Sequence, residues 1–270
     1  MLILISSHPR SGTHFTIDSL KLNLRNAMFP YDARLPKDFN FGSLFRNDVT
    51  VNRVFKKYVH GRPKKVILIK SHLTPDDVAN ALESDSLSEE TRYLIDYIWK
   101  HARKIYVYRD ARDVMVSLYH HQGYAGSFSD FLREKNTYHN FGFTRAGRFE
   151  ENKPLFWKYH ISTWKNASGN TAFVQYERLN KQFEAECSGV LQTLGLSAPA
   201  PPRKPRKGKT ALDALKEWLN RFGLNLQVES THIQSTVHRR GSWELYFNDE
   251  DISFLKEQAG DVMQDMGYAI

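Results

Sequence analysis

Residues 6–15 read Ser-Ser-His-Pro-Arg-Ser-Gly-Thr-His-Phe, a turn that places hydroxyls, one guanidinium and a glycine between two apolar segments. The run Leu2-Ile3-Leu4-Ile5 before it is short and β-rich, as a buried strand is. After it Ile17, Leu20, Leu24, Ala27 and Met28 recur at helical spacing, so the turn is expected to open a helix. A helix start offers unpaired N–H groups and partial positive charge, and Gly12 lets an anion approach the backbone with no Cβ in the way. Ser11 and Thr13 add hydroxyl donors and Arg10 adds a full charge. The chemistry is anion capture, with a phosphate as the expected anion. The loop is not the nucleotide-kinase pattern G-x-x-x-x-G-K-[ST]: the early glycine is missing, the cation precedes Gly12, and Gly12 runs directly into Thr13.

Three more β-rich runs, at 66–69, 105–108 and 172–174, are each followed by polar or charged residues and then by a helical pattern. Helix-like segments between successive runs predict parallel pairing in a doubly wound sheet. Ligands of such sheets bind at the carboxyl ends of the strands. Those ends carry Arg10 to Phe15, then Lys70 and His72, then Arg109, then Tyr176. Three cations facing one crevice repel one another unless an anion sits among them.

On these residues the chain resembles the sulfotransferases that use 3′-phosphoadenosine 5′-phosphosulfate (PAPS). His8-Pro9-Arg10-Ser11-Gly12-Thr13-His14-Phe15 is similar to the family's 5′-phosphosulfate loop, with Arg10 in place of the usual lysine. Ile69-Lys70-Ser71-His72-Leu73 resembles the segment with the catalytic histidine, and residues 104–119, from Lys104 to Tyr119, resemble the 3′-phosphate motif. Residues 173–179 and 239–247 match two further landmarks, and all five segments occur in the family's order.

The resemblance implies an α/β fold: a single P-loop-like domain over residues 1–270, with a mainly parallel central sheet flanked by helices on both faces. It implies PAPS as co-substrate, adenosine 3′,5′-bisphosphate (PAP) as product, no metal, and a hydroxylated acceptor. Arg10 and Lys70 would neutralise charge at the bridging oxygen, and His72 would take the acceptor's proton. Ser11, Gly12, Thr13 and His14 would line the phosphosulfate loop, with His14 either binding the nucleotide or capping the helix. Phe15 would stack on adenine, Tyr176 would hydrogen-bond to the nucleotide, and Arg109 with Ser117 would hold the 3′-phosphate. Arg239, Arg240 and Gly241 would close over that phosphate. The family's Arg-Lys-Gly and Gly-Asp-Trp are compressed here into Arg239-Arg240-Gly241-Ser242-Trp243, which leaves open which arginine meets it.

Composition bounds the alternatives. With 25% charged and 41% hydrophobic residues the chain reads as soluble and globular, and a formal net charge of +8 favours an anionic partner. A kinase on a related scaffold would need the missing Lys-[Ser/Thr]. A nucleic-acid module would need a continuous basic surface, whereas the basic residues are dispersed apart from 203–209. Cys187, the only cysteine, sits among apolar residues at helical spacing and is expected to be buried. No stretch approaches a membrane span, so a cytoplasmic location and no transmembrane segment are the expectation.

Helices are expected near Asp113, over 87–101 with a Ser86/Glu89 cap, and after Asn248. Trp243 and Phe247 are expected to pack together. Loops within 31–60 and 122–155, the latter with little periodicity from Gln122 to Lys153, are expected to form the acceptor site, with Phe39, Phe41, Phe45, Tyr124, Phe128 and Phe141 suited to line it. The Pro-rich basic stretch 199–209 is expected to be a solvated surface loop, with an anion-steering strip as the alternative. Acceptor identity and oligomeric state are not encoded in these patterns.

Overall fold

Leu2–Ser7 forms β1, and all six of its residues are buried, so the strand is covered on both faces. A computed structural model of the chain describes residues 1–35, 38–135, 151–167, 169–197, 201–206, 209–222, 224, 226, 228 and 243–270. Among them a five-stranded parallel sheet is built from β1, β2 (Ala27–Met28), β3 (Val66–Ser71), β4 (Ala102–Tyr108) and β5 (Thr171–Gln175). Its order is β2-β3-β1-β4-β5. From β1 the chain goes first to one side and later to the other, so the loop after β1 lies at the topological switch point, where parallel sheets hold their ligands. The four runs expected from sequence are β1, β3, β4 and β5, each longer than its apolar core.

Helices α1 (Thr13–Asn23), α2 (Val49–Val59), α3 (Pro75–Leu82), α4 (Glu89–His101) and α5 (Ala111–Gln122) fill the first half. In the second half come α6 (Phe128–Arg133), α7 (Lys153–Asn166), α8 (Tyr176–Lys181), α9 (Phe183–Thr193), α10 (Ala211–Asn220) and α11 (Asp249–Asp265). Most start on a side chain that satisfies the first free N–H groups, as Asp48, Thr74, Asp110 and Asn248 do. The α4 cap is Ser88, which accepts from Thr91 N–H, and not the expected Ser86. The expected extension of α1 to Met28 also fails. Leu24 is extended, the helix stops at Asn23, and Ala27–Met28 becomes a short edge strand on β3.

Within 31–60 the phenylalanine rings are core while residues such as Arg46, Val49 and Lys57 are exposed. Phe39, Phe41, Phe45 and Phe55 are fully buried, with Phe39 stacked on Phe55 at 4.2 Å, so these rings present no open face to an acceptor in this structure. Aromatic-rich segments without obvious periodicity bury as readily as periodic ones when a 3₁₀ turn, here Phe41–Arg46, supplies the fold. In 122–155, Phe128 is buried in α6 and Lys153 opens α7, while Phe141 and the rest of 136–150 lie outside the described residues. Cys187 is buried, and burial pushes its thiol up to about 11. Trp243 and Phe247 meet edge to face at 6.0 Å.

The burial of β1 makes a contrast testable by denaturant unfolding. Leu4→Ala, at a fully buried strand position, should cost about 2–5 kcal/mol. Leu245→Ala, at a position 72% exposed, should stay within about 0.5 kcal/mol of the parent. Equal losses would contradict the described packing.

Candidate active site

Every strand end named from sequence meets the segment from Ser7 to His14, which comprises the end of β1, the loop and the start of α1. In that loop Arg10 has φ 70° and Gly12 φ 102°, with Ser11 between them at negative φ. Alternating signs turn successive N–H groups toward one side, the pattern of an anion nest. Gly12 is the N-cap of α1 and no side chain caps the helix, so its first N–H groups are left open to a ligand. A methyl group built on Gly12 would lie 2.3 Å from Tyr176 Cδ2. The glycine is therefore required twice, by its backbone angle and by the tyrosine ring packed against it.

From β4, Arg109 lies over the Tyr176 ring at 4.9 Å and donates through Nη2 to Asp113 at 3.0 Å and through Nη1 to the Arg10 carbonyl at 3.4 Å. From α5, Ser117 Oγ accepts from Arg10 Nε at 3.1 Å. Arg10, Arg109, Ser117 and Tyr176 thus form one contact group. Two polar atoms, Arg109 Nε in this group and Ser11 Oγ in the adjoining loop, are buried without a hydrogen-bond partner. Buried orphans of this kind cost about 1–3 kcal/mol each, and a phosphate-bearing ligand would satisfy both.

From β3, Lys70 and His72 approach the same loop. Lys70 Nζ donates to Asp38 Oδ2 at 2.6 Å and lies 3.0 Å from His14 Nε2, which is itself 3.3 Å from Asp38. Burial works to raise the Asp38 carboxyl, but hydrogen bonds and charge from His14 and Lys70 overrule it and hold it well below the usual carboxylate range. His14 therefore neither caps α1 nor stands alone; it joins a cation-carboxylate cluster.

His72 Nδ1 lies 2.9 Å from the Ser7 carbonyl, an acceptor that requires the proton on Nδ1 and leaves Nε2 with its lone pair. Burial, then the Lys70 charge, lowers the His72 pKa well below its ordinary value, so the ring is neutral at physiological pH. Ser7 Oγ completes the link to the loop through Thr13 Oγ1 at 2.6 Å.

Helix α7 holds the strand ends from behind. Trp157, His160 and Trp164 lie on one face at i, i+3 and i+7, all fully or almost fully buried. Trp157 Nε1 donates to the Arg109 carbonyl at 3.2 Å and Trp164 Nε1 to the Leu73 carbonyl at 3.0 Å. Tyr106, whose phenol is held protonated by burial, donates to His160 Nδ1 at 2.8 Å, leaving His160 Nε2–H to donate to the His72 carbonyl at 3.1 Å. Burial lowers the His160 pKa to about 4, consistent with that neutral tautomer. Glu177, at the start of α8, ties β5 to β4 by accepting from Asp110 N–H at 3.0 Å.

Some sequence expectations fall elsewhere. Phe15 is 3% exposed and enclosed by Tyr176 and Phe183, so its ring presents no open face to adenine in this structure. Its helical position faces the core, and packing claims the ring. Arg239, Arg240 and Gly241 lie outside the described residues. Asp38 and Trp157 are not among the residues expected from sequence, Glu177 enters only within the 173–179 landmark, and His160 reads as an ordinary surface or core histidine. For α7 the signal was present as Trp157-x-x-His160-x-x-x-Trp164, whereas Asp38 lies in an aperiodic loop with nothing to mark it.

Gly12→Ala should cost at least about 1 kcal/mol from its backbone angle alone, read by chemical unfolding. Unchanged stability would mean that the loop accepts a side chain and that Tyr176 does not pin it.

Known proteins were compared with the chain. A family model, the sulfotransferase domain, matches residues 2–267. A search of curated proteins finds no match. Among solved structures, mouse sulfotransferase SULT7A1 complexed with PAP aligns with TM-score 0.54 and 16% identity, over 97% of this chain and 84% of that one. The sulfotransferase domain from the curacin biosynthetic pathway aligns with TM-score 0.55 and 12% identity, over 99% of this chain and 98% of that one. At such identities the alignments speak for the fold, which is the P-loop-like fold of these enzymes. The family match over nearly the whole chain carries the assignment: this protein belongs to the sulfotransferase-domain family.

Proposed function

We propose that the enzyme transfers the sulfuryl group of PAPS to a hydroxyl of a small-molecule, lipid or glycan acceptor, with His72 as general base. The observation that carries this reading is the convergence of a neutral imidazole, its Nε2 lone pair unclaimed by the Ser7 contact, and an uncapped helix start on one cationic loop. The buried orphans Ser11 Oγ and Arg109 Nε fit a ligand with two phosphate groups, and SULT7A1 is described in complex with PAP, the product of such a donor.

In this reading the loop N–H groups, Ser11 and Thr13 hold the 5′ side of the donor, and Arg109 with Ser117 holds the 3′-phosphate. Arg10 and Lys70 offset the charge that develops on the bridging oxygen. The sulfur–bridging-oxygen bond breaks as a new sulfur–oxygen bond forms to the acceptor. The acceptor's hydroxyl proton passes to His72 Nε2, and PAP leaves with the bridging oxygen. Tyr176 positions the loop through its contact with Gly12, and Asp38 serves as the counter-charge that keeps Lys70 aimed at the loop. The acceptor binds in this reading beside His72, and the enzyme acts in the cytoplasm.

Transfer of label from PAPS to a panel of hydroxylated compounds tests the proposal. His72→Ala should lower kcat by about 10²–10⁴ while PAP affinity stays within a few-fold, because a general base acts on the acceptor and not on the nucleotide. Full activity of that variant would remove His72 from the mechanism.

The pH profile follows from the direction of the His72 shift. Protonation removes the base, and a lowered pKa keeps the ring unprotonated as pH falls through the ordinary histidine range, so the acid limb of kcat/KM should lie below about 6.5. Lys70→Met removes one of the charges that lower it, so the limb of that variant should move upward. A limb that does not move on this substitution would contradict the Lys70–His72 coupling.

A further inference from the structure

Helix α10 is mounted inside out. Its polar residues face the protein: Asp213 is buried, capping the helix with Thr210 and accepting from Arg206 at 2.7 Å. Asn220 is buried against the Leu226 backbone, and Glu217 meets the Tyr31 hydroxyl at 3.3 Å and pairs with Lys209. Its apolar residues face out. Leu212, Leu215 and Trp218, with Phe222 just past the helix end, are between 51 and 65% exposed and form an apolar ridge in which the Trp218 and Phe222 ring centroids lie 5.1 Å apart. At 100° per residue these four side chains occupy one arc, with Lys216 at one margin and Arg221 at the other. That arc carries no acidic residue, because the two acids of the helix are turned inward onto Arg206 and Lys209.

We propose that this face docks on an anionic membrane surface, with the ridge entering the headgroup boundary and Lys216 and Arg221 reaching the lipid phosphates on either side. An apolar arc with cationic margins on a helix too short to span is the build of an interfacial helix, and among the described residues no helix is long and apolar enough to cross a membrane. Charge complementarity selects this occupant over a second copy of the chain. Two copies meeting through the ridge would bring cationic margins together, and the net charge of +8 adds to that repulsion. An acidic bilayer takes the ridge and the margins at once, each nearby cation adding about 1 kcal/mol, or roughly fivefold in partitioning. Arg206 and Lys209, from the basic segment before α10, are fastened to the polar side of the helix, away from the ridge, so they are anchored although Arg206 stays half exposed.

Co-sedimentation of the full chain with vesicles tests the proposal, comparing phosphatidylcholine alone with phosphatidylcholine containing phosphatidylserine. Binding should be at least about tenfold stronger to the acidic vesicles and fall with salt. Lys216→Glu with Arg221→Glu should lose about tenfold or more of it, and Leu215→Ser with Trp218→Ser should abolish it. All four positions are surface sites, so thermal midpoints should match the parent, which separates lost docking from lost folding. Absence of binding by the parent chain to acidic vesicles would overturn the proposal. So would undiminished binding by the Leu215/Trp218 variant. Concentration-dependent self-association that the same substitutions abolish would assign the ridge to an interface between copies instead.

Discussion

Bringing Arg10, Lys70 and Arg109 to one loop is the constraint around which this molecule is arranged. Two like charges about 4 Å apart in a partly shielded site repel by about 4 kcal/mol, so such a group persists only with compensation. The compensation is local and specific: Asp38 sits on Lys70, Asp113 on Arg109, and Ser117 accepts from Arg10. None of these counter-groups caps α1, so the N–H groups at its start stay open. A phosphorylated donor would complete the charge balance and satisfy the orphaned atoms at the same time, so binding and relief of internal cost are one event.

The second requirement is that the strand ends stay where the cations need them. Carbonyls at the ends of parallel strands have no further strand partner and need donors when buried. Helix α7 supplies these donors from a single face, so Trp157, His160 and Trp164 fix the backbone of Arg109, His72 and Leu73 together. The result is a neutral imidazole oriented from both sides. Its ring is set by the Ser7 carbonyl and its main chain by His160. A rigid scaffold of this kind suits transfer chemistry, in which alignment of reacting oxygens supplies much of the rate.

The four main strands, their parallel order and the anion loop were legible because apolar runs, a glycine turn and strand-end cations are local signals. Lys70, His72 and Arg109 are legible at strand ends and Ser117 through the family resemblance, and the fold brings all four to the loop after β1 and its flanks. What was illegible depended on tertiary choices. Phe15 has the position of a stacking ring, yet packing against Phe183 claims it. Phe39 and Phe45 look like pocket lining and are core, because burial of an aromatic in an irregular loop leaves no periodicity to detect. Asp38 pairs with Lys70 across 32 residues, a contact that no local pattern encodes. In helix α10 the acids Asp213 and Glu217 are turned inward, paired with Arg206 and Lys209, and the apolar stripe faces outward, an orientation set by these tertiary pairs and not by local pattern.

The central claim is that the strand ends build one site for an adenosine carrying phosphate at both the 5′ and 3′ positions. Calorimetric titration with PAP and with adenosine 5′-monophosphate tests it directly. The account predicts that PAP binds the parent chain at least about tenfold more tightly, since a charge-assisted contact is worth about 1.5–3 kcal/mol, and that Arg109→Ala narrows this gap. Equal affinity of the parent chain for the two nucleotides would contradict it.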